Sequence, residues 1–234
     1  MTVAAVILCA SLEQALADSA GRPAVRRMVE SAWAGGATPI VVVSPDSGGQ
    51  VAMALAGSPA ILAEPAPRDG GPPAQIVRGV RVAAGEVTET DAALLWPGRM
   101  TWVDAETVTT LIEASGLERG TLLRPRYGDQ AGWPVLLPVE LLPALEGLAA
   151  GRMPSELVDD LVAGGAAVRL VDTGDPGVVH DLSTPIDSLP PFDGPPEPVK
   201  PPPEWGAAAA DVGDEGPLQG PALAPYGQAA EEGE

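Results

Sequence analysis

The chain has 234 residues, of which 45% are apolar and only 3% aromatic, so one sizeable domain with an aliphatic core fits within it, with room for a tail. A formal charge of −19 argues against nucleic acid or an anionic membrane surface as a partner. Cys9 is the single cysteine, which excludes an intrachain disulfide or a cysteine-clustered metal site. The opening MTVAAVILCAS has no basic n-region and is too short for a secretory signal or a membrane span, so a cytoplasmic location is expected.

Residues 3–9 form a continuous apolar run of strand length, the pattern of a parallel strand buried on both faces. Pro23 opens a helix whose apolar positions Val25, Met28, Val29, Ala32 and Trp33 follow helical spacing, and Gly35 and Gly36 end it. Residues 39–43 read as the next strand, completing a βαβ unit. The alternation continues with a short helix at 50–56, a strand at 60–62, a helix at 73–84 and a strand at 92–96. Asp104 then caps a helix carrying Val108, Leu111 and Ile112. Extended segments at 121–126 and 133–137 flank a turn-rich stretch from Tyr127 to Gly132; helices at 139–148 and 155–163 and a strand at 167–171 follow. Such alternation predicts a single doubly wound α/β domain over residues 1–189, with a mostly parallel sheet covered by helices on both faces. Residues 190–234 are dense in proline, glycine and acid. Nine acids there face Lys200 alone, a net of −8 that leaves −11 for the domain. This segment reads as a disordered or polyproline-like tail.

Four stretches, taken in order, resemble the motifs of one known family. Gly21, Arg22 and Pro23, with the helix and AGGATPIVVVS after them, resemble the family's G-x-P, helix and second strand. ALLWPGRMTWV resembles the strand ending in g-D-M-P-l-V, and RPRYGDQAGWPVLL resembles P-x-Y-x-G-x-x-G-H-P-V-L. VDTGDPGVVHDLSTPIDSL resembles the closing D-x-x-G-x-x-x-D-I-D-T-P-E-D-L. Together the four resemble the MobA-like nucleotidyltransferases, which transfer nucleotides during maturation of the molybdenum cofactor; the resemblance covers the whole expected domain and implies a Rossmann-like nucleotidyltransferase fold.

The departures fall on the chemistry. Attack on the α-phosphate of a nucleoside triphosphate needs donors and a cation for the developing charge. The family supplies donors from a Gly-rich loop, L-A-A-G-x-S-x-R-M-G-x-x-K, after the first strand. Here the matching segment from Leu8 to Gly21 has no earlier glycine and no Arg or Lys, and it is shorter by roughly half a dozen residues than a loop able to cradle phosphates. The content from Leu12 to Ala17 predicts a short helix instead. Arg99 stands where the family has its Mg²⁺ aspartate, and a fixed positive charge repels a cation. Trp133 replaces the GHPV histidine, and Ser183 replaces the second closing aspartate, while Asp181 is retained.

By position in these motifs, the nucleotide-side candidates are Ser11, Arg22, Arg26, Gly71, Gln75, Gly98 and Arg99. Tyr127, Gly132 and Trp133 are the acceptor-side candidates. Arg99 and Asp181 are vestigial catalytic positions, each with a plainer reading: a surface ion pair for Arg99, a turn cap for Asp181. His180 reads as a strand-end residue, Gly70 to Pro73 as a loop without ligand, and Trp96 and Trp133 as core or pocket lining. The expected function is a degenerate family member that binds a protein partner or a nucleotide-like ligand. An active cytidylyl- or guanylyltransferase using Mg²⁺ and rebuilt on Arg22, Arg26 or Arg99, and a structural subunit of a complex, are the alternatives. No metal site beyond Asp181 is expected.

Overall fold

The computed structural model describes residues 2–195, so most of the expected acidic tail lies outside the described residues. In chain order the elements are β1 (Thr2–Leu8), α1 (Leu12–Leu16), α2 (Ala24–Ala34), β2 (Ile40–Val43), α3 (Gln50–Leu55) and β3 (Ala60–Ala63). Next come α4 (Gly71–Glu86), β4 (Thr90–Pro97), α5 (Ala105–Leu117), β5 (Leu122–Tyr127), β6 (Gln130–Ala131) and β7 (Val135–Pro138). The series closes with α6 (Leu142–Glu146), α7 (Pro154–Ala163) and β8 (Val168–Asp172). Strand order is β3-β2-β1-β4-β7-β5, and β5 also pairs with β6 and β8. Pairings among β1, β2, β3 and β4 and between β5 and β8 are parallel; β7 runs antiparallel to β4 and β5. The expected α/β architecture with a mostly parallel sheet is therefore present.

Both faces of the sheet are covered, which is why β1 has no polar alternation. Val3, Ala5 and Ile7 pack beneath α2 and α5 with Met28, Val29 and Leu111, whereas Ala4 and Val6 pack beneath α4, α6 and α7 with Ile76, Val80, Leu145 and Leu157. All five residues are essentially inaccessible to solvent. Asp104 caps α5 as its position predicts, accepting from the Glu106 N–H at 2.9 Å.

Three local readings change. Trp33 is 57% exposed, although it was expected on the buried stripe of α2. At about 100° per residue, position i+8 lies about 80° from Val25, at the margin of the stripe. The helix expected over 139–148 forms only as a 3₁₀ turn at Val139–Leu141 followed by α6, because Pro143 is tolerated only in a first turn and the helix restarts there. The stretch from Tyr127 to Gly132 is a hairpin tip in which β6 pairs back on β5. At the far end of the described chain, the Asp193 N–H donates to the Gly174 carbonyl at 3.3 Å.

Helix α4 lies close on the sheet at Gly79, where an added Cβ would fall 2.3 Å from Val6 Cγ1 and 3.1 Å from Val43 Cγ2. Gly85 in the same helix has nothing within 4 Å. Helix propensity alone favours alanine over glycine by up to about 1 kcal/mol at both positions, while overpacking a core contact costs about 1–3 kcal/mol. Urea unfolding should therefore show Gly85→Ala slightly more stable than the parent and Gly79→Ala less stable by about 1 kcal/mol. Equal effects of the two substitutions would mean that α4 does not press on β1 and β2 as described.

Candidate functional site

Leu8 of β1 pairs in register with Val43 of β2 and with Pro97 of β4, so three parallel strands end level. Above their C-terminal ends opens a cleft of about 540 Å³, the place where open α/β sheets carry ligands. The β1 and β4 ends form its floor, the start of α4 with Pro65, Ala66 and Arg68 forms one wall, and Trp133 with Met153 to Ser155 at the start of α7 completes the rim. Strands β1 and β4 approach so closely here that the Gly98 N–H donates to the Leu8 carbonyl at 2.8 Å. A Cβ at residue 98 would lie 2.9 Å from both that oxygen and Cys9 Sγ, so only glycine fits. Burial pushes the Cys9 thiol up to about 12, and a thiol that remains protonated is no nucleophile.

The segment after β1 is the expected short helix. Ser11 caps α1, its hydroxyl accepting from the Gln14 N–H at 3.1 Å, and the Gln14 side-chain oxygen accepts from the Ala10 N–H at 2.7 Å. The Cys9 N–H donates to the Val43 carbonyl at 2.9 Å. Donors that a phosphate loop would turn toward a ligand are thus engaged within the protein. The cleft is open, but Cys9 and Ala10 offer it no backbone N–H groups. Ser11 itself is a helix cap and does not line the cleft. Gln14 lay outside the sequence candidates, yet Ser11-Leu-Glu-Gln14 has capping-box spacing that could have pointed to it.

Arg99, the first charged residue past β4, lines the cleft and pairs with Asp181 through Nη2. Arg99 forms an ion pair, its plainer reading, and Asp181 closes a turn, its plainer reading. Its Oδ2 accepts from Arg99, while Oδ1 accepts from the Ser183 N–H at 2.8 Å and hydroxyl at 2.5 Å, closing a turn. Burial alone would raise the Asp181 carboxyl; the Ser183 donors and the Arg99 guanidinium outweigh it and hold its pKa below the ordinary value. The Leu182 N–H donates to the Arg99 carbonyl at 2.8 Å, and Trp102 Nε1 donates to the Asp181 and Thr184 carbonyls, at 3.0 Å each. These residues do not fit a Mg²⁺ ion. Both Asp181 oxygens are occupied, a guanidinium stands beside them, and among the described residues no group of three or more acids, histidines or cysteines converges.

The remaining candidates scatter. Arg22 and Arg26 both pair with Glu30, and Arg26 also donates to the Ala56 carbonyl at 2.9 Å, so neither reaches the cleft. Gly71 and Gln75 line it, but the Gln75 amide is clamped to the Ala66 backbone, accepting from its N–H at 2.8 Å and donating to its carbonyl at 2.9 Å. Of the acceptor-side residues only Trp133 lines the cleft, held by its N–H to the Val178 carbonyl at 2.9 Å. Gly132 is tied to the Pro125 carbonyl and Tyr127 packs on the core. Trp96 is fully buried, with Nε1 donating to the Met100 carbonyl at 2.7 Å, so it is core and not pocket. His180 follows a 3₁₀ turn at Pro176–Val178 and ends no strand; Asp175 before that turn redirects the chain. Asp175 is buried and accepts from the Asp104 N–H, the Thr107 hydroxyl and the Gly177 N–H at 2.7–2.9 Å, and burial pushes its pKa up despite these donors. Arg68, in the cleft wall, belongs to no motif, and nothing in the sequence singled it out.

A profile of the MobA-like NTP transferase domain matches residues 11–166, two thirds of the chain. No curated protein sequence matches it. Among solved structures, a nucleotidyl transferase from Methanothermobacter thermautotrophicus is similar at 20% identity and a TM-score of 0.64, over 76% of this chain and 91% of that one. The Mycobacterium tuberculosis protein Rv0371c in complex with manganese gives 20% and 0.56, over 74% and 88%. The 2-C-methyl-D-erythritol 4-phosphate cytidylyltransferase from Thermus thermophilus gives 18% and 0.58, over 80% and 95%. At these identities the likeness is one of fold. No helix among the described residues is long and apolar enough to cross a membrane.

Asp181 supplies a pH-dependent test of the strand-end arrangement. Its folded-state pKa is depressed, so its stabilisation is complete above the ordinary carboxyl value and is lost as pH falls through the depressed one. Asp181→Ala should lower the unfolding free energy by about 1 kcal/mol near neutral pH, since Arg99 is largely exposed and screened. Urea titrations at falling pH should show the gap from the parent narrowing once the carboxyl protonates. A gap independent of pH would show that the charge of Asp181 contributes nothing.

Proposed function

The chain belongs to the MobA-like NTP transferase family, and from that premise we propose that it is a catalytically degenerate member, one that holds a nucleotide-like ligand or a protein partner without efficient nucleotidyl transfer. The observation that carries this reading is the Arg99–Asp181 ion pair, which lies where the family places a metal-binding aspartate. A transferase must stabilise charge on the transferred phosphate and on leaving pyrophosphate. Three sources of that stabilisation are altered together: the Gly-rich loop is a capped helix, its cations are missing, and the metal position is cationic. Arg22 and Arg26, the residues on which a rebuilt site would depend, are engaged with Glu30. An accessory role in maturing a molybdenum-containing enzyme is the biological setting that the family suggests, and it is proposed on that basis.

Incubation of the pure protein with CTP or GTP, Mg²⁺ and a molybdopterin-type acceptor should release no pyrophosphate above a protein-free control. Turnover of about once per second, near the low end for ordinary enzymes, would overturn the reading. A second measurement tests its basis. Mg²⁺ should leave the parent's Tm unchanged and raise that of Arg99→Asp by about 2–4 °C, as a ligand bound only to the folded state does. No rise in the variant would mean that the end of β4 does not keep the family's metal geometry.

A further inference from the structure

Many backbone donors on the cleft lining, beyond those of the loop after β1, are engaged within the protein. Backbone N–H groups of Cys9, Ala10, Ala66, Gly71, Gly98 and Met153, all on its lining, are each bonded within the protein. Five further lining positions, Pro45, Pro65, Pro72, Pro97 and Pro154, have no N–H at all. The start of α4, where a helix would ordinarily present free donors to an anion, is Gly71-Pro72-Pro73, with the Gly71 N–H given to the Arg68 carbonyl. Between these sites the wall is apolar: Leu8, Val43, Met100, Trp133 and Met153. Positive charge is limited to Arg68 and Arg99, and only Arg99 is paired. The Arg68 side chain is exposed and makes no hydrogen bond or ion pair with any described residue. In a chain of net charge −19 that is unusual, since acids are abundant and most of the other arginines have partners.

We propose that the cleft takes a ligand with a flat apolar body and a single terminal anionic group, the body seated between Met100, Trp133 and Met153 and the anion held by Arg68 at the mouth with the remaining N–H groups of Arg99. This deepens the binding role proposed above and rests on it. A triphosphate brings several charges that need many donors or a metal ion, and the field of an acidic protein opposes a polyanion. One phosphate or carboxylate needs only one or two guanidinium forks. The volume of about 540 Å³ suits a drug-sized ring system.

The test titrates the full chain by calorimetry with 1-naphthyl phosphate, 1-naphthoate and neutral 1-naphthol. One of the two anions should bind saturably with one site per chain and at least about tenfold more tightly than naphthol; whichever wins names the anionic group. Arg68→Ala should weaken that anion about tenfold and leave naphthol unchanged. Arg119→Ala, by the small hollow near the N-terminal ends of β4 and β5, should change nothing. Lack of saturable binding, equal affinity for naphthol, or an anion indifferent to Arg68→Ala would overturn the proposal. So would displacement of the naphthyl ligand by CTP or GTP with Mg²⁺ at a lower concentration than its own. None of those outcomes touches the degenerate reading, which fails only if pyrophosphate is released.

Discussion

The hydrogen bond from the Gly98 N–H to the Leu8 carbonyl closes two parallel strands on one another, and the site is arranged around that closure. It leaves no room for a side chain at residue 98, makes the strand ends into a floor, and directs the chain at Arg99 toward the closing loop. That loop is then stitched to the strand end by the Leu182 N–H, by Trp102 Nε1 and by the Arg99–Asp181 pair. Arg99 thereby joins the end of β4 to the closing loop. It does so with fixed positive charge, which offers no coordination position to a metal ion.

Polar groups around the cleft follow the same pattern. Gln14 satisfies Ala10, Gln75 satisfies both polar atoms of Ala66, and Glu156 satisfies Met153. Each bond satisfies a polar group of the cleft wall within the protein and ties that part of the wall in place. The buried carboxyl of Asp175 works at longer range. It gathers three donors from the α5 start and its own turn, and so fixes the segment between β8 and Asp181.

Much of this was legible in the sequence, because the relevant signals are local. Apolar runs at strand length, helical spacing in α2 and α5, the Asp104 cap, and helix-forming residues in place of a glycine loop all report on a few neighbouring positions, and each element formed with small shifts in its ends. The plainer readings, Arg99 in a surface ion pair and Asp181 in a turn, were legible too, although the sequence did not say that the two would meet. Tertiary structure alone decided the rest. That Arg22 and Arg26 face Glu30 and not the cleft, that Gln75 turns to Ala66, that β7 enters a parallel sheet in reverse, and that Arg68 alone on the cleft wall lacks a partner depend on which surfaces the sheet brings together. Residue type sets what a guanidinium or an amide can bond, but the partner is chosen by packing between elements that local sequence does not encode.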